Sequence, residues 1–434
     1  MRPAGGLSGR RITAAALLLA LAGCDGGAGG GEGAPDAATS TASTASTAPA
    51  GQAESAAPAA LPALTPPKNR VKTPFPGQAS PDLEASLVLL GETVDVHAAD
   101  PDNPWAVAHG LVARGAGFTL SNGEPAVEAM FERFAFEQEL AGKTLIGFPR
   151  KRGAIRIEPH TDLLLKAMTE AGVDPALAVQ VEGRPHTVGD LWGHSLMTTW
   201  LNLGNGESSY DSPNDMPWGI QGLAAWAPPD LQWQAWQGTP MSMKDMTRLM
   251  VHVLHTESGF LLEAMEAGGD FQKRGQGIFQ YTCGGAHLLQ GSAFVVARGF
   301  GGEEEREKLR QQGRLLYYRF PRELAITTDS AAQRPDMALI LMVQQLKFVG
   351  HWLESAHKLA ASGLYTPDSA EQLVMAQALG ALVDTIAALK RLGAYDNLDT
   401  IREQNEQLYL DLVGDSAHAL RGAELALGRA EYAY

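Results

Sequence analysis

From Pro81 to the C-terminus, apolar residues recur at helical spacing, and the interruptions carry recognisable start and stop signals. Pro81-Asp82 opens a segment that runs to residue 97, and Asn103-Pro104 opens another towards Arg114. Proline suits the first helical turn, where its missing N–H has no partner to lose. Glu124-Pro125 precedes a third helix with Val127, Met130, Phe131 and Phe134 on one face. Residues 161–171, 187–203, 242–255 and 281–298 show the same period, and 303–324 sets acids first and bases later, as the helix dipole favours. Residues 331–362 place Leu339, Val343, Leu346, Val349 and Leu353 at helical spacing. Thr366-Pro367 starts a helix that Gly393 closes, and a last one covers 398–427. Two short alternating runs, 178–181 and 186–188, read as strands joined across Glu182-Gly183-Arg184-Pro185. The pattern predicts an all-α body with one small β-hairpin. No repeat of fixed period is present, and a ring of paired antiparallel helices is one way to enclose a single core at this size.

The N-terminus follows another rule. Arg2, Arg10 and Arg11 precede an apolar run over residues 12–22, which at ~1.5 Å per residue is too short to cross a bilayer and has the proportions of a secretory signal. It ends in Leu21-Ala22-Gly23-Cys24, which resembles the lipobox of bacterial lipoproteins. That resemblance implies that Cys24 is alkylated by diacylglycerol and, after cleavage, becomes an acylated, palmitate-type membrane anchor. The Arg10-Arg11 pair resembles a twin-arginine signal less closely. Residues 25–78 then turn to Gly, Ala, Ser, Thr and Pro, too little apolar bulk to offset the entropy of ordering. The expected organisation is a signal peptide (1–23), a lipidated N-terminus and tether (24–80), a helical domain (81–330) and C-terminal helices packed on it (331–434).

Charge narrows the partners. The 434 residues carry 34 basic against 49 acidic side chains, a net charge of −15, and lack the basic footprint of a nucleic-acid binder. Such a body would be repelled by anionic lipid, so the membrane is expected to hold only the acylated N-terminus, and the location is the bacterial cell envelope. Two cysteines build no disulfide scaffold. Motifs of the G-x-S-x-G, H-E-x-x-H and phosphate-loop kinds are absent from the sequence.

Candidate chemistry concentrates between His194 and Gly302. Five tryptophans fall between Trp200 and Trp236, beside a polar loop from Tyr210 to Trp218. Indoles interleaved with carboxylates suit sugar rings, whose apolar faces stack while their hydroxyls need acceptors. Asp211, Asp215 and Glu257 are the candidate acids, and Trp218, Trp226, His160 and Asp162 the candidate ligand contacts; the tryptophans equally suit core packing. His252 and His255 share a helix face. Cys283 and His287 stand four apart beside Gly284-Gly285, either as a metal pair with zinc as the ion, as a His-assisted thiolate, or as a buried thiol next to a hydrogen-bonded imidazole.

Several of these stretches carry a resemblance. Trp105-Ala-Val-Ala-His109-Gly, Phe118 to Gly123, Ala126-Val127, His160-Thr-Asp162, Val181 to Leu191 and Thr282-Cys-Gly-Gly-Ala-His287 resemble uncharacterised bacterial proteins. Those are similar to the α/α-toroid fold of terpenoid cyclases and protein prenyltransferase β subunits. Over residues 104–302 the resemblance implies a ring of helical hairpins around a central cavity, and it implies no activity. Tyr281 stands where the prenyltransferases place a zinc-binding aspartate, and Gln232-Trp233 does not reproduce the cyclase signatures, so isoprenoid chemistry is not implied. The functional expectation is an envelope lipoprotein that binds a ligand or partner, a glycan or an envelope protein, through the ring cavity. The alternatives are a hydrolase or lyase on an envelope glycan, and a Cys/His metal or thiol enzyme. The last helices are expected to serve packing and partner contact.

Overall fold

The computed structural model describes residues 61–434 apart from 141, 203–206, 211, 236–239 and 270–284. The signal peptide, Cys24, most of the tether, Asp211 and Cys283 lie outside the described residues.

The first helix starts follow the signals read from the sequence, whereas the helix expected from Thr366-Pro367 starts at Ser369 with Asp368 as its cap, because the Asp368 carboxylate accepts the Ala370 and Glu371 N–H groups. α1 (Pro81–His97) begins with Ser80 accepting the Leu83 N–H, and α2 (Pro104–Arg114) with Asn103 accepting that of Ala106. α3 (Ala126–Phe134), α4 (Leu163–Ala171) and α5 (Val188–Thr198) follow. α6 (Met216–Trp226) lies where the sequence reads as an aromatic loop, because every one of its faces is buried and no polar stripe marks its period. α7 (Met243–Glu257), α8 (Gly259–Glu266), α9 (Ala286–Ala297) and α10 (Glu303–Gln333) lead to α11 (Ala338–Ala361) and α12 (Ser369–Arg391). The expected last helix is broken: α13 (Leu398–Gln404) stops at Asn405, whose side chain caps α14 (Glu406–Ala426).

Burial alternates along the chain. α2, α4, α6, α9, α11 and α14 are buried on nearly every face, whereas α1, α7, α10 and α12 expose one. The six buried helices pack in succession, α2 on α4, α4 on α6, α6 on α9, α9 on α11 and α11 on α14, and α14 packs back on α2. α11 and α14 make the tightest pair. A Cβ on Gly350 would sit 2.8 Å from the Ala419 nitrogen, and one on Gly422 would sit 2.7 Å from the Gly350 carbonyl oxygen. Residues 331–434, expected as helices packed on an 81–330 domain, supply two members of this closed succession. Among the described residues α12 is long and apolar enough to cross a membrane, but part of its surface is buried against α11 and α1.

Strands are more numerous than expected. Besides the hairpin of β6 (Ala178–Val181) and β7 (Arg184–Thr187), the described residues hold β2 (Phe136–Leu140) with β3 (Lys143–Gly147), β4 (Lys151–Arg152) with β5 (Ile155–Arg156), and β8 (Gln232–Gln234) with β9 (Pro240–Ser242). The β6–β7 turn is shorter than the sequence reading: Glu182 and Gly183 both take positive φ, 51° and 77°, as a two-residue hairpin turn requires. The fifth pair joins the ends of the described chain, β1 (Arg70–Val71) on β10 (Tyr432–Ala433).

That pairing moves the body's boundary. Residues 61–80, assigned to the tether by composition, lie along the helices. Leu61 and Leu64 fill the space over Gly193 and Gly189 of α5. Thr65 N–H donates to the Trp226 carbonyl at 2.7 Å, and Gly77 N–H to that of Ala426 at 2.8 Å. The Thr73 hydroxyl is hydrogen-bonded to buried His357. Proline and small residues look tether-like in isolation, but here a few leucines and backbone groups find partners on the core.

Candidate functional site

The six buried helices should be apolar throughout if they served packing alone. Instead each turns ionisable or amide groups into the core: His109 on α2, Lys166 and Glu170 on α4, Gln221 on α6, His287 and Gln290 on α9. α11 contributes Lys347, His351, Glu354 and Lys358, and α14 contributes Asp411, Asp415 and His418. The spacings are three, four and seven residues, so each set forms one stripe along its helix. Burying so many charges is a poor route to stability, because desolvation cancels most of what pairing returns.

Four imidazoles meet near the middle. His351 and His418 rings lie 4.0 Å apart, His287 lies 4.6 Å from His351 and 5.8 Å from His418, and His109 lies 5.2 Å from His418. Donor atoms of His287, His351 and His418 all fall within 4.8 Å of one another, so these three could close on one cation. Glu354, wholly buried, accepts from His418 Nδ1 at 2.9 Å, which assigns that ring's proton to Nδ1. The same carboxylate lies 3.7 Å from His351 Nδ1 and 3.6 Å from Lys358 Nζ. Lys358 also pairs with Glu170 and donates to Gln290 Oε1 at 2.8 Å, while Lys166 pairs with Glu170 at 2.6 Å. A third buried ammonium, Lys347, lies 3.2 Å from Asp411.

On the far side of Trp218 is an acid–base group. His160 stacks on the indole at 5.0 Å and 4°, and Trp218 meets His287 at 4.5 Å. His160 Nδ1 is bonded to Asp215 Oδ1 at 2.7 Å. Asp162, two residues on, heads α4 with φ of 62°, a left-handed conformation costly for a side chain with Cβ. Gly219 makes room for it, since a Cβ there would sit 2.8 Å from Asp162 Oδ2 and 2.9 Å from the Tyr210 hydroxyl.

Electrostatics separate these groups. Burial pushes Asp162 up to about 6, with Ser195 and Arg150 acting the other way. Burial also raises Glu158 well above the usual range, with the Asp162 charge adding to it. Burial would raise Glu170 too, but Lys166 and Lys358 outweigh it and hold the carboxyl well below. Glu354 is likewise held low by Lys358 and His418 against its desolvation. Burial depresses His287 and His351, and takes His418 down to about 3, so the central imidazoles are neutral at physiological pH.

A pH dependence follows. Above pH ~6.5 folded and unfolded imidazoles are both neutral; below it the unfolded chain takes up protons that buried His287, His351, His418 and His357 and half-buried His194 refuse. Each such group removes stability at up to about 1.4 kcal/mol per pH unit until its folded value is reached. Asp162 and Glu158, raised in the folded state, return some of it as they protonate, while Glu170 and Glu354 add a further loss below pH ~4.5. Urea midpoints should fall steadily from pH 6.5 to 4; a flat profile would mean that the imidazoles titrate freely.

One cavity touches this centre and a larger one lies a helical turn from it. A cavity of about 350 Å³ opens at the N-terminal ends of α2 and α14, walled by Asn103, Trp105, Arg156, Pro159 and Gln407. Trp105 is one turn above His109, whose Nδ1 it binds through its carbonyl, and Gln407 donates to Asp411. A smaller cavity of about 30 Å³, room for a water or two, touches His351 beside Leu289, Phe348 and Trp352.

Of the residues singled out in the sequence, His160, Asp162, Asp215, Trp218 and His287 come together here. Trp226 is core at the end of α6, and its carbonyl takes the Thr65 bond. Glu257 ends α7 half-buried on the outer layer, on the same helix as exposed His252. His351, His418, Glu354, Lys358, Lys166 and Glu170 were missed. Their signal was the stripe Lys347, His351, Glu354, Lys358 inside an otherwise apolar helix, an inverted amphipathic pattern. Comparison with family models, curated proteins and solved structures finds no match for this chain.

Proposed function

We propose that the chain is an envelope-anchored enzyme whose reactive centre lies on the axis of an α/α toroid. The alternation of buried and half-exposed helices, and the closure of α14 on α2, support the toroid. The Cys24 lipobox supports the anchor and the export. One observation carries the catalytic reading: Asp162 is buried, held in a left-handed conformation, raised to about 6, and shares buried Tyr210 with Asp215, the partner of His160. A carboxyl that titrates near neutrality next to an imidazole held by a second carboxylate is suited to general acid–base chemistry. A protein that only binds gives no reason to keep that strain and that pKa in its core.

The mouth cavity supports a polar, uncharged substrate. Arg156 and Arg402 face Asp102 and Glu406 around it, with Asn103 and Gln407 between, a balanced lining that suits hydroxyl groups better than a strong anion. An envelope or extracellular glycan fits that chemistry and the location. The full chain in detergent, its Asp162→Asn variant and its His160→Gln variant should be assayed for release of soluble fragments from peptidoglycan and from envelope polysaccharides. The expected result is turnover by the parent and a loss of roughly 10²–10⁴-fold in each variant with circular dichroism unchanged. Absence of parental turnover, or variants as active as the parent, contradicts the reading.

A further inference from the structure

We propose that His287, His351 and His418 bind a divalent first-row metal ion, zinc by ligand chemistry, in a site with one position open. The inference concerns the same axial centre as the enzyme reading, but its test measures metal and not turnover, so either can fail alone.

Four observations converge. First, the donors come from three helices, α9, α11 and α14, that pack in sequence, so folding assembles the set with no loop to order. A metal ~2.0–2.1 Å from each nitrogen needs those nitrogens roughly 3.4 Å apart. The observed 4.8 Å envelope closes onto one by side-chain rotations of about an ångström. Second, Glu354 accepts the His418 Nδ1 proton, which leaves Nε2 with its lone pair. A carboxylate behind a histidine in this way fixes the tautomer and raises ligand basicity at metal sites. His351 Nδ1, also buried, faces that carboxylate at 3.7 Å. Third, the charges do not balance. Among the described inner-helix residues Glu170, Glu354, Asp411 and Asp415 face Lys166, Lys347 and Lys358, and Asp215 adds another carboxylate at the rim. A buried excess of negative charge is costly, and a dication offsets it. Fourth, a 30 Å³ cavity with room for a water borders the His351 ring. Three protein ligands with a water in the fourth position is the pattern of a catalytic rather than a structural zinc site, and it would lower the pKa of that water towards neutrality.

Imidazole donors select this class of ion. Calcium and magnesium take oxygen ligands, which the three histidines do not offer, and a thiolate-preferring ion gains nothing from them.

The test uses untagged full chain in detergent, stripped with dipicolinate and titrated with zinc alone. The expected result is one zinc per chain by elemental analysis and a thermal midpoint that rises with free zinc. His351→Ala and His418→Ala should each weaken zinc binding more than 100-fold, Glu354→Gln by about 10–100-fold, and His252→Ala on the exposed face of α7 not at all. Cobalt titration of the unmodified chain gives a reading that needs no variant: intense visible bands mark a four-coordinate site. A folded parent that binds neither ion, or His351→Ala and His418→Ala chains that retain zinc with parental affinity, overturns the proposal.

Discussion

Glu354→Ala should cost about 3–5 kcal/mol of folding stability, the scale seen when one partner of a buried ionic network is removed. Glu354 is fully enclosed, and its two oxygens serve His418 Nδ1 at 2.9 Å and Lys358 Nζ at 3.6 Å. Truncation leaves the imidazole proton without an acceptor and leaves Lys166 and Lys358 opposed by Glu170 alone. It also opens a cavity between α11 and α14. Glu354→Gln keeps the shape and one acceptor and should lose roughly 1–3 kcal/mol, since only the charge is removed. Urea unfolding at pH 7.5 separates the two. A loss below about 1 kcal/mol for the alanine variant would mean that the carboxylate is solvated or protonated, against its low pKa.

Gly350→Ala is the second large effect, and its direction is opposite to helix propensity. Alanine improves an exposed helix by up to about 1 kcal/mol over glycine. At residue 350 the added carbon meets the Ala419 backbone at 2.8 and 2.9 Å, so α11 and α14 have to part. Overpacking of this kind costs typically about 1–3 kcal/mol, and backbone against backbone belongs at the upper end. The neighbours of this contact along each chain are His351 and His418, whose rings stand 4.0 Å apart. Zinc affinity should therefore fall with stability in a variant that touches no ligand. Gly380→Ala on α12, with open space around it, is the control and should stabilise by about 0.5–1 kcal/mol. Equal behaviour of the two alanines would refute the close packing of α11 on α14.

What could be read in advance divides by range. Ser80-Pro81, Asn103-Pro104 and Gly393 act within a turn of themselves, so helix limits were legible. The β6–β7 hairpin was legible for the same reason, though not its turn type. α6 was not, because a helix buried all round has no polar face to reveal its period. The strap over 61–80 and the β1–β10 pair depend on groups far apart in sequence, such as Thr65 with Trp226 and Arg70 with Ala433, which no local pattern encodes. The buried histidine centre sits between these cases. His160, Asp162, Trp218 and His287 stood out through their motifs, but His351, Glu354 and His418 lay in segments read as packing. The polar stripes at helical spacing were there to be read. What they converge on, three imidazoles contributed by residues 287, 351 and 418, is fixed only when α9, α11 and α14 pack.

The most direct measurement is the X-ray absorption spectrum of the zinc-loaded full chain. The account predicts a first shell of nitrogen and oxygen at about 2.0–2.1 Å with the multiple-scattering signature of three imidazoles and one lighter ligand. A sulfur shell at about 2.3 Å, or a shell with fewer than three imidazoles, would contradict the three-histidine centre.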